Sequence, residues 1–244
     1  MKRYTFILLS ALMLFATPVA AQPTPQQVLD SVDEVRAPGK NFVFNVTAQQ
    51  TGKSNATEFF LETMVRESTK SLVLYREPEK WNGRAMLLDG LDAFIYTPGT
   101  SRALRISPAQ QMASGITHAD VARVVFSIDY SADAVENILS SEGQPLYKLD
   151  LTAISNKNTY RNITLYCSHN YEPVKAEFFG ISGKLLRTAY YENYQMVLGK
   201  MRPMGIRLIS SVSSEENALL IYTNMQEKTT PAHYYQPSYL NQIR

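Results

Sequence analysis

Residues that could do chemistry are few in this chain and widely separated. The three histidines, His118, His169 and His233, fall into no His-x-x-x-His or His-x-x-Glu-His pattern, and Cys167 is the only cysteine. The sequence therefore lacks a local metal-binding motif. It also has neither a Gly-x-Ser-x-Gly elbow nor a Ser-x-x-Lys pair, the local signatures of serine hydrolases and penicillin-binding enzymes. We predict that the protein is not an enzyme and that it uses no metal or cofactor.

One enzymatic alternative stays open at this point. A lipid-modifying enzyme would need a cluster of titratable groups, and Asp129, His118 and a serine would form one if folding placed them within hydrogen-bond reach. Adjacent carboxylates such as Asp33 and Glu34 are not expected to act together as a general acid and base, because neighbouring side chains on a helix or strand point apart.

Residues 1–21 have the composition of a secretory signal peptide. Lys2 and Arg3 precede an apolar run from Phe6 to Ala16, and the small residues Val19-Ala20-Ala21 predict cleavage before Gln22. The apolar run is shorter than the roughly 20 residues that span a bilayer, so we expect cleavage rather than a retained anchor. Residues 22–244 are then expected to form a single domain.

Removal of the signal changes the charge balance. The whole chain has 24 Lys and Arg against 22 Asp and Glu, and the first 21 residues contain two of the bases and no acid. The remainder is formally neutral and has no basic stripe, which argues against nucleic acid as a partner. The single thiol of Cys167 excludes an intramolecular disulfide, and its even spacing from Ile163 and Leu165 predicts a buried strand position.

The pattern of apolar residues predicts a mainly β (α+β) protein. Val28, Leu29 and Val32 recur at helical spacing, and from Phe42 onward the period changes to two. A second, partly helical segment is predicted over residues 119–127. About eleven antiparallel strands are more than an open twisted sheet usually holds without curling. We expect a curved antiparallel sheet that forms an unclosed β-barrel, with helices covering its hydrophobic concave face.

Several strands are apolar on both faces, as in Leu72-Val73-Leu74 and Met86-Leu87-Leu88. Such residues belong to an ordinary core if helices cover one face and a second layer covers the other. They could equally line a cavity for acyl chains, because pockets for apolar ligands use Phe, Leu, Ile and Met. The residues alone leave both interpretations open.

Four segments carry a resemblance to a known family. They are the hairpin Phe94–Ser107 with its Pro98-Gly99 turn, the run Arg36-Ala37-Pro38-Gly39, residues Asp120–Tyr130 and residues Lys175–Tyr191. In the order and spacing of these segments along the sequence, the chain resembles the bacterial outer-membrane lipoprotein-sorting proteins related to LolA and LolB. The resemblance implies a periplasmic protein with an unclosed barrel and a hydrophobic cavity for acyl chains of lipoproteins or other lipids. It also implies a role beside an inner-membrane RND-type transporter and the outer membrane.

The predicted cavity lining is aromatic and aliphatic and comes from the strands and the second helical segment. It consists of Phe42, Phe44, Val46, Phe59, Leu61, Leu72, Leu74, Leu87, Phe94, Leu104, Ile106, Val124, Phe126, Leu149 and Leu151.

Three arginines are the polar candidates for the mouth or lid of that cavity. Arg102 and Arg105 either flank the mouth or form the wet face of the hairpin. Arg123 lies between apolar neighbours and needs a partner, for which Asp120 and Asp129 are the candidates. It would act either as a clamp on the lid or as a contact to the ligand.

The sequence therefore predicts a periplasmic carrier that binds lipid or lipoprotein acyl chains without covalent chemistry and takes part in outer-membrane lipoprotein or lipid trafficking. The alternative is a structural module with a filled core and no lipid cargo, which docks on an RND-type envelope exporter. A lipid that co-purifies with the protein would separate the two.

Overall fold

The computed structural model describes residues 22–51, 57–113, 116–121, 125–213 and 216–243. Its first element is helix α1, Pro25–Arg36. The side chain of Thr24 accepts a hydrogen bond from Gln27 N (3.3 Å), and Gln27 Oε1 accepts one from Thr24 N (2.8 Å). This reciprocal capping box and Pro25 in the first turn start the helix. The helix ends where Ala37 becomes extended before Pro38, as the residue preceding a proline prefers.

Sixteen strands and two further short helices occupy the described ranges. The helices are α2, His118–Val121, and α3, Phe126–Asp129. The strands are β1 Phe42–Gln50, β2 Glu58–Arg66, β3 Lys70–Glu77, β4 Ala85–Asp89, β5 Asp92–Tyr96, β6 Leu104–Ile106, β7 Gln111–Ala113, β8 Ile116–Thr117, β9 Tyr130–Ala132, β10 Glu136–Leu139, β11 Pro145–Ala153, β12 Asn162–Ser168, β13 Pro173–Phe179, β14 Leu185–Val197, β15 Lys200–Ser210 and β16 Ala218–Glu227. Three 3₁₀ segments, Glu79–Trp81, Ala232–Tyr235 and Pro237–Gln242, complete the set.

Fourteen of these strands form one curved antiparallel sheet in the described part of the chain. Its order is β10-β11-β12-β13-β14-β15-β16-β1-β2-β3-β4-β5-β6, with β9 paired to β11, and β7 and β8 form a separate pair. The order ends in β10 on one side and β6 on the other, so the barrel is unclosed, as predicted. The predicted number of about eleven strands was too low. Several of the strands have only two to four residues, too few to display a period of two.

The predicted second helix is interrupted. Helices α2 and α3 lie within and beside the 119–127 segment, and residues 122–124 between them lie outside the described residues. Two of the predicted site residues, Arg123 and Val124, fall in that gap.

The sheet has a covered inner (concave) face and a partly covered outer face. Strand β1 alternates buried and half-buried residues throughout, and its buried positions join α1, α2 and α3 in one large inner cluster. On the outer face, the 3₁₀ segments near the C-terminus place Tyr235 and Leu240 against β3 and β4. Both faces of β3 are therefore buried over Ser71–Tyr75, which explains its apolar run.

Candidate functional site

The inner face gathers most of the aromatic and aliphatic residues predicted to line a cavity. Alternation along the pleated strands turns them to the same side. The predicted lining residues that belong to the inner cluster are Phe42, Phe44, Val46, Phe59, Leu61, Phe126, Leu149 and Leu151, and Ile106 packs at its margin.

The other predicted lining residues in the described part of the chain lie away from this face, and Val124 is outside the described residues. Leu72, Leu74 and Leu87 belong to the outer cluster, and Phe94 packs against it. Their placement in the inner lining was wrong because β3 and β4 are apolar on both faces, and the true inner residues of β3 are Val73 and Tyr75. Leu104 is 55% exposed on the short edge strand β6.

Helix α1 lies against the inner face and forms the main part of a lid, which we define as α1, α2 and α3. Val28, Leu29 and Val32 on its apolar side are at most 1% exposed and join the inner cluster. The apolar side of α1 is therefore packed into the inner cluster together with the sheet residues.

Two small cavities of about 50 Å³ each remain between the lid and the sheet. Both are bounded by Arg36, Ile206 and Tyr222, so they adjoin each other. The first is completed by Phe42, Phe44, Val121, Pro203 and Met225, and the second by Asp120, Phe126, Tyr160, Phe178, Ala189, Leu208 and Leu220. The β15 and β16 residues were missed by the sequence prediction, although their alternating apolar positions on two predicted strands were a usable signal.

Arg36 is the charged group at both cavities. Its Nη1 lies 3.2 Å from Asp33 Oδ1, and its guanidinium carbon lies 4.5 Å from the centre of the Phe126 ring and 5.9 Å from that of Tyr191. Burial acts to lower the pKa of Arg36, but the Coulomb interactions with Tyr191 and Asp33 outweigh it and the pKa is raised. The site therefore holds a permanent positive charge among aromatic rings.

The lid is fastened through polar contacts as well as apolar ones. Asp33 on α1 accepts hydrogen bonds from the backbone N–H groups of Phe126 (3.1 Å) and Ser127 (2.8 Å) at the start of α3. Arg202 on β15 donates from Nη1 to the carbonyl oxygens of Glu34 (2.6 Å) and Val35 (2.8 Å) at the end of α1. Such contacts satisfy groups that helix ends leave unpaired.

Helix α2 is tied to the sheet by a buried ion pair between Asp120 and Arg187 on β14. Asp120 Oδ2 also accepts hydrogen bonds from the backbone N–H (2.7 Å) and Oγ1 (2.8 Å) of Thr117. The partner of Asp120 in the described chain is thus Arg187, which the sequence prediction did not single out; Arg123 itself lies outside the described residues.

The other two candidate arginines lie on the surface of the β5–β6 hairpin. Arg102 is exposed. Arg105, 61% exposed, pairs with Asp92 on the neighbouring strand. This contact and hydrogen bond lower the pKa of Asp92. The exposed position corresponds to the wet-face interpretation of these residues.

The titratable groups with catalytic potential have structural partners. His118 Nδ1 and the Tyr75 hydroxyl share a buried hydrogen bond of 3.1 Å, and burial lowers the pKa of His118 to about 4. Burial also raises the pKa of the Cys167 thiol to about 12. Asp129 accepts a hydrogen bond from Val125 N (3.3 Å). Among the described residues, no three His, Cys, Asp or Glu side chains are grouped as metal ligands.

No helix in the described ranges has the length and apolarity needed to cross a membrane.

Comparison with known proteins relates this chain to one family. Residues 67–242 match the sequence model of a protein family whose description is "Uncharacterized protein". A comparison with curated proteins finds no match. The solved structure of a LolA superfamily protein from Nitrosomonas europaea is 30% identical with a TM-score of 0.83, over 89% of this chain and 100% of that chain. A putative outer membrane lipoprotein-sorting protein domain from Vibrio parahaemolyticus is 18% identical with a TM-score of 0.73, over 87% and 97% of the two chains. At 18% identity, the Vibrio parahaemolyticus domain shows a similar fold only. The Nitrosomonas europaea protein is matched over its whole length at 30% identity, and the chain therefore belongs to the LolA superfamily.

Proposed function

We propose that this protein is a periplasmic carrier that binds the acyl chains of a lipid or lipoprotein on the inner face of its sheet, beneath the lid. The observation that carries the proposal is the construction of that face. A continuous apolar surface is covered by a separate helix, α1, whose C-terminal turn is fixed by polar contacts and beside which cavities remain. Membership of the LolA superfamily supports the same assignment.

The size of the cavities implies that the lid moves when cargo enters. Pockets for ligands of moderate size have about 300–1,000 Å³, whereas each cavity here has about 50 Å³. An acyl chain would therefore take the place of the apolar side of α1. When the lid opens, Asp33 and Arg202 can exchange their polar contacts for contacts with water. The apolar inner face of the sheet cannot, and it has to be covered by another apolar group.

The energies of this exchange are of similar size. Exposing Val28, Leu29 and Val32 would cost about 5–9 kcal/mol, at about 1.5–3 kcal/mol for each fully buried side chain. Burying a long acyl chain contributes of order 10 kcal/mol, at about 0.8 kcal/mol per CH₂ and before ordering costs. A near balance suits a carrier, because cargo must leave when a membrane or a partner binds it better.

Native mass spectrometry of the protein purified from its own periplasm, with organic extraction of adducts, tests the proposal. We expect a stoichiometric acyl-chain adduct, and the same mass reports whether the chain begins at Gln22. A clean mass together with failure to take up a fluorescent fatty acid would refute carriage.

A matched pair of variants locates the binding site. Met225 is half-buried against the inner cluster and borders the first cavity, whereas Met64 is half-buried against the outer cluster. Met225→Trp should fill the cavity and reduce fatty-acid uptake, and Met64→Trp should leave uptake unchanged. Equal uptake by both variants, with thermal unfolding like that of the wild type, would exclude the inner face.

The small cavities favour a second candidate, the interaction module with a filled core. In that case the buried α1 residues are simply part of the core, and the protein docks on an envelope exporter of the RND type without lipid cargo. This candidate predicts a clean mass, no fatty-acid uptake, and co-purification with an inner-membrane transporter.

A further inference from the structure

The β14–β15 hairpin extends beyond the strands on either side of it. Strand β13 pairs with β14 only as far as Tyr190, and β16 pairs with β15 only from Gly205 onward. The two strands nevertheless pair with each other up to Val197 and Lys200. In the described structure, the strand pairing of the ribbon beyond these neighbours is therefore confined to β14 and β15 themselves. We call residues 194–202 the ribbon tip.

The ribbon tip exposes three large apolar side chains within six residues. Met196 is 67% exposed, Leu198 47% and Met201 37%. Leu198 (φ 49°) and Gly199 (φ 77°) form the two-residue turn, and two positive φ angles are typical of a type I′ turn. Asn, Asp or Gly normally occupies the first turn position, where a leucine is strained. The chain thus keeps a bulky apolar residue at the end of the ribbon against the preference of the turn.

The charge around the tip is positive along its own chain. Residues 193–202 contain Lys200 and Arg202 but no Asp or Glu. Lys200 Nζ lies 2.7 Å from Glu34 on α1. Arg202 is buried at 3% exposure, whereas the Lys200 side chain is 41% exposed. Lys200 is therefore the basic group of the tip that can lie at the level of phosphate headgroups when the apolar side chains ahead of it enter a bilayer.

Arg202 fixes the tip to the lid. Its Nε donates to the carbonyl oxygen of Val197 (2.9 Å), and its Nη1 donates to the last carbonyls of α1. Pro203, the next residue along the strand, borders the first cavity together with Arg36 at the end of α1. The tip, the end of the lid helix and the cavity are therefore neighbours at one end of the sheet.

We propose that the ribbon tip docks on the surface of a lipid bilayer and sets the adjoining cavity at the level of the headgroups. A convex tip of separate apolar side chains enters a fluid interface without needing a complementary groove. The choice of a bilayer over a protein surface rests on the proposed function, because lipid cargo has to come from a membrane.

Single-cysteine labelling tests the proposal directly. Cys167 is fully buried with a raised pKa, so an introduced surface cysteine can be labelled selectively. Met196→Cys places an environment-sensitive dye on the tip. Ile181→Cys is the control, since Ile181 is 92% exposed in the turn before β14, at the other end of that strand. On adding phosphatidylcholine/phosphatidylglycerol vesicles, dye emission should rise and shift to the blue at position 196 and stay constant at 181.

A polar variant measures the contribution of the tip to binding. Met196→Ser/Met201→Ser should lower vesicle partitioning in co-sedimentation by about tenfold or more, with circular dichroism and thermal unfolding unchanged because both side chains are exposed. Equal dye responses at the two positions, or wild-type partitioning by the variant, would overturn the proposal. So would a concentration-dependent dye response without vesicles, which indicates contact between two copies.

The cargo experiment separates this inference from the proposed function. Vesicle binding by the tip, together with a clean native mass and no uptake of a fluorescent fatty acid, would retain docking and reject carriage. A lipid adduct without vesicle binding would do the reverse.

Discussion

Replacing the buried hydroxyl of Thr63 should stabilise the protein. Thr63 lies on β2 between Phe44 on β1 and Val73 on β3, and it is 1% exposed. Its Oγ1 has no hydrogen-bond partner among the described residues. A buried polar group without a partner costs about 1–3 kcal/mol. Thr63→Val removes that hydroxyl and keeps the branched shape.

We expect the free energy of unfolding to rise by about 1–2 kcal/mol, which is a Tm increase of about 2–8 °C for a chain of this length. Most substitutions of buried residues lower stability, so the sign of the change is the informative part. The increase in stability is expected for the protein with its lid closed, because the residues around Thr63 on the inner face are then apolar.

Thr117→Val is the matched control and should have the opposite effect. Thr117 is also buried, but its Oγ1 donates to the Asp120 carboxylate at 2.8 Å. Loss of a hydrogen bond to a charged group costs about 1.5–3 kcal/mol. The same substitution should therefore stabilise at position 63 and destabilise at position 117.

Urea denaturation followed by tryptophan fluorescence measures both changes. Trp81 is the only tryptophan, and it packs against Phe59 and Tyr75 in the inner cluster at ring distances of 5.2 and 5.6 Å. Linear extrapolation gives the free energy of unfolding in water. A loss of stability in Thr63→Val, or changes of the same sign in both variants, would show that the hydroxyl at position 63 is satisfied in solution.

Three further predictions concern buried polar groups. Asp33→Ala should destabilise the protein by about 3–5 kcal/mol, because it leaves buried donors without their charged acceptor, and should speed hydrogen exchange of the amides at the start of α3. His118 has a pKa of about 4 in the folded state, lowered by burial, against about 6.5 in the unfolded chain. The unfolded chain therefore binds the proton more tightly, and stability should fall by up to about 3 kcal/mol as the pH drops from 6.5 to 4. The Cys167 thiol should react with a thiol reagent only after unfolding.

Each of these has a control on the same chain. Asp30→Ala removes a carboxylate from the exposed side of α1, whereas Asp33 lies on its buried side. The Asp30 variant should change neither stability nor amide exchange in α3. His118→Gln should flatten the fall in stability between pH 6.5 and 4, whereas His169→Gln, at an exposed site, should retain it. Reaction of Cys167 in the folded protein at the rate of a free thiol would contradict its burial.

The fold could be predicted where a residue pattern had a single physical cause. Strand β1 buries alternate residues because only its inner face is covered, and α1 has an apolar side because it lies on that face. In β3 the pattern had two causes, one on each face, and the sequence could not assign Leu72 or Leu74 to either. The C-terminal segment that covers the outer face makes contacts distant in sequence, which no local pattern reports.

The candidate site was predictable in its apolar part and less so in its polar part. An apolar lining follows from strand parity, whereas an ion pair depends on which distant strand lies opposite. Asp120 meets Arg187 across 67 residues of chain, and Arg202 reaches the end of α1 from β15. The ribbon tip was missed for a related reason, since exposure at a hairpin depends on where the neighbouring strands stop.

The position of β1 in the sheet has a consequence for how the chain folds. Strand β1 pairs with β2 on one side and with β16 on the other, where Phe42 lies opposite Glu227. The strands from β1 to β6 can assemble by local pairings as they are synthesised, but the seam that joins them to the second half forms only when almost the whole chain has emerged. Such a high contact order slows folding. Until β16 arrives, β1 is an open edge in addition to β6, and open edges invite pairing with other chains. Folding yield should therefore depend on a chaperone that protects the first half while the second is completed.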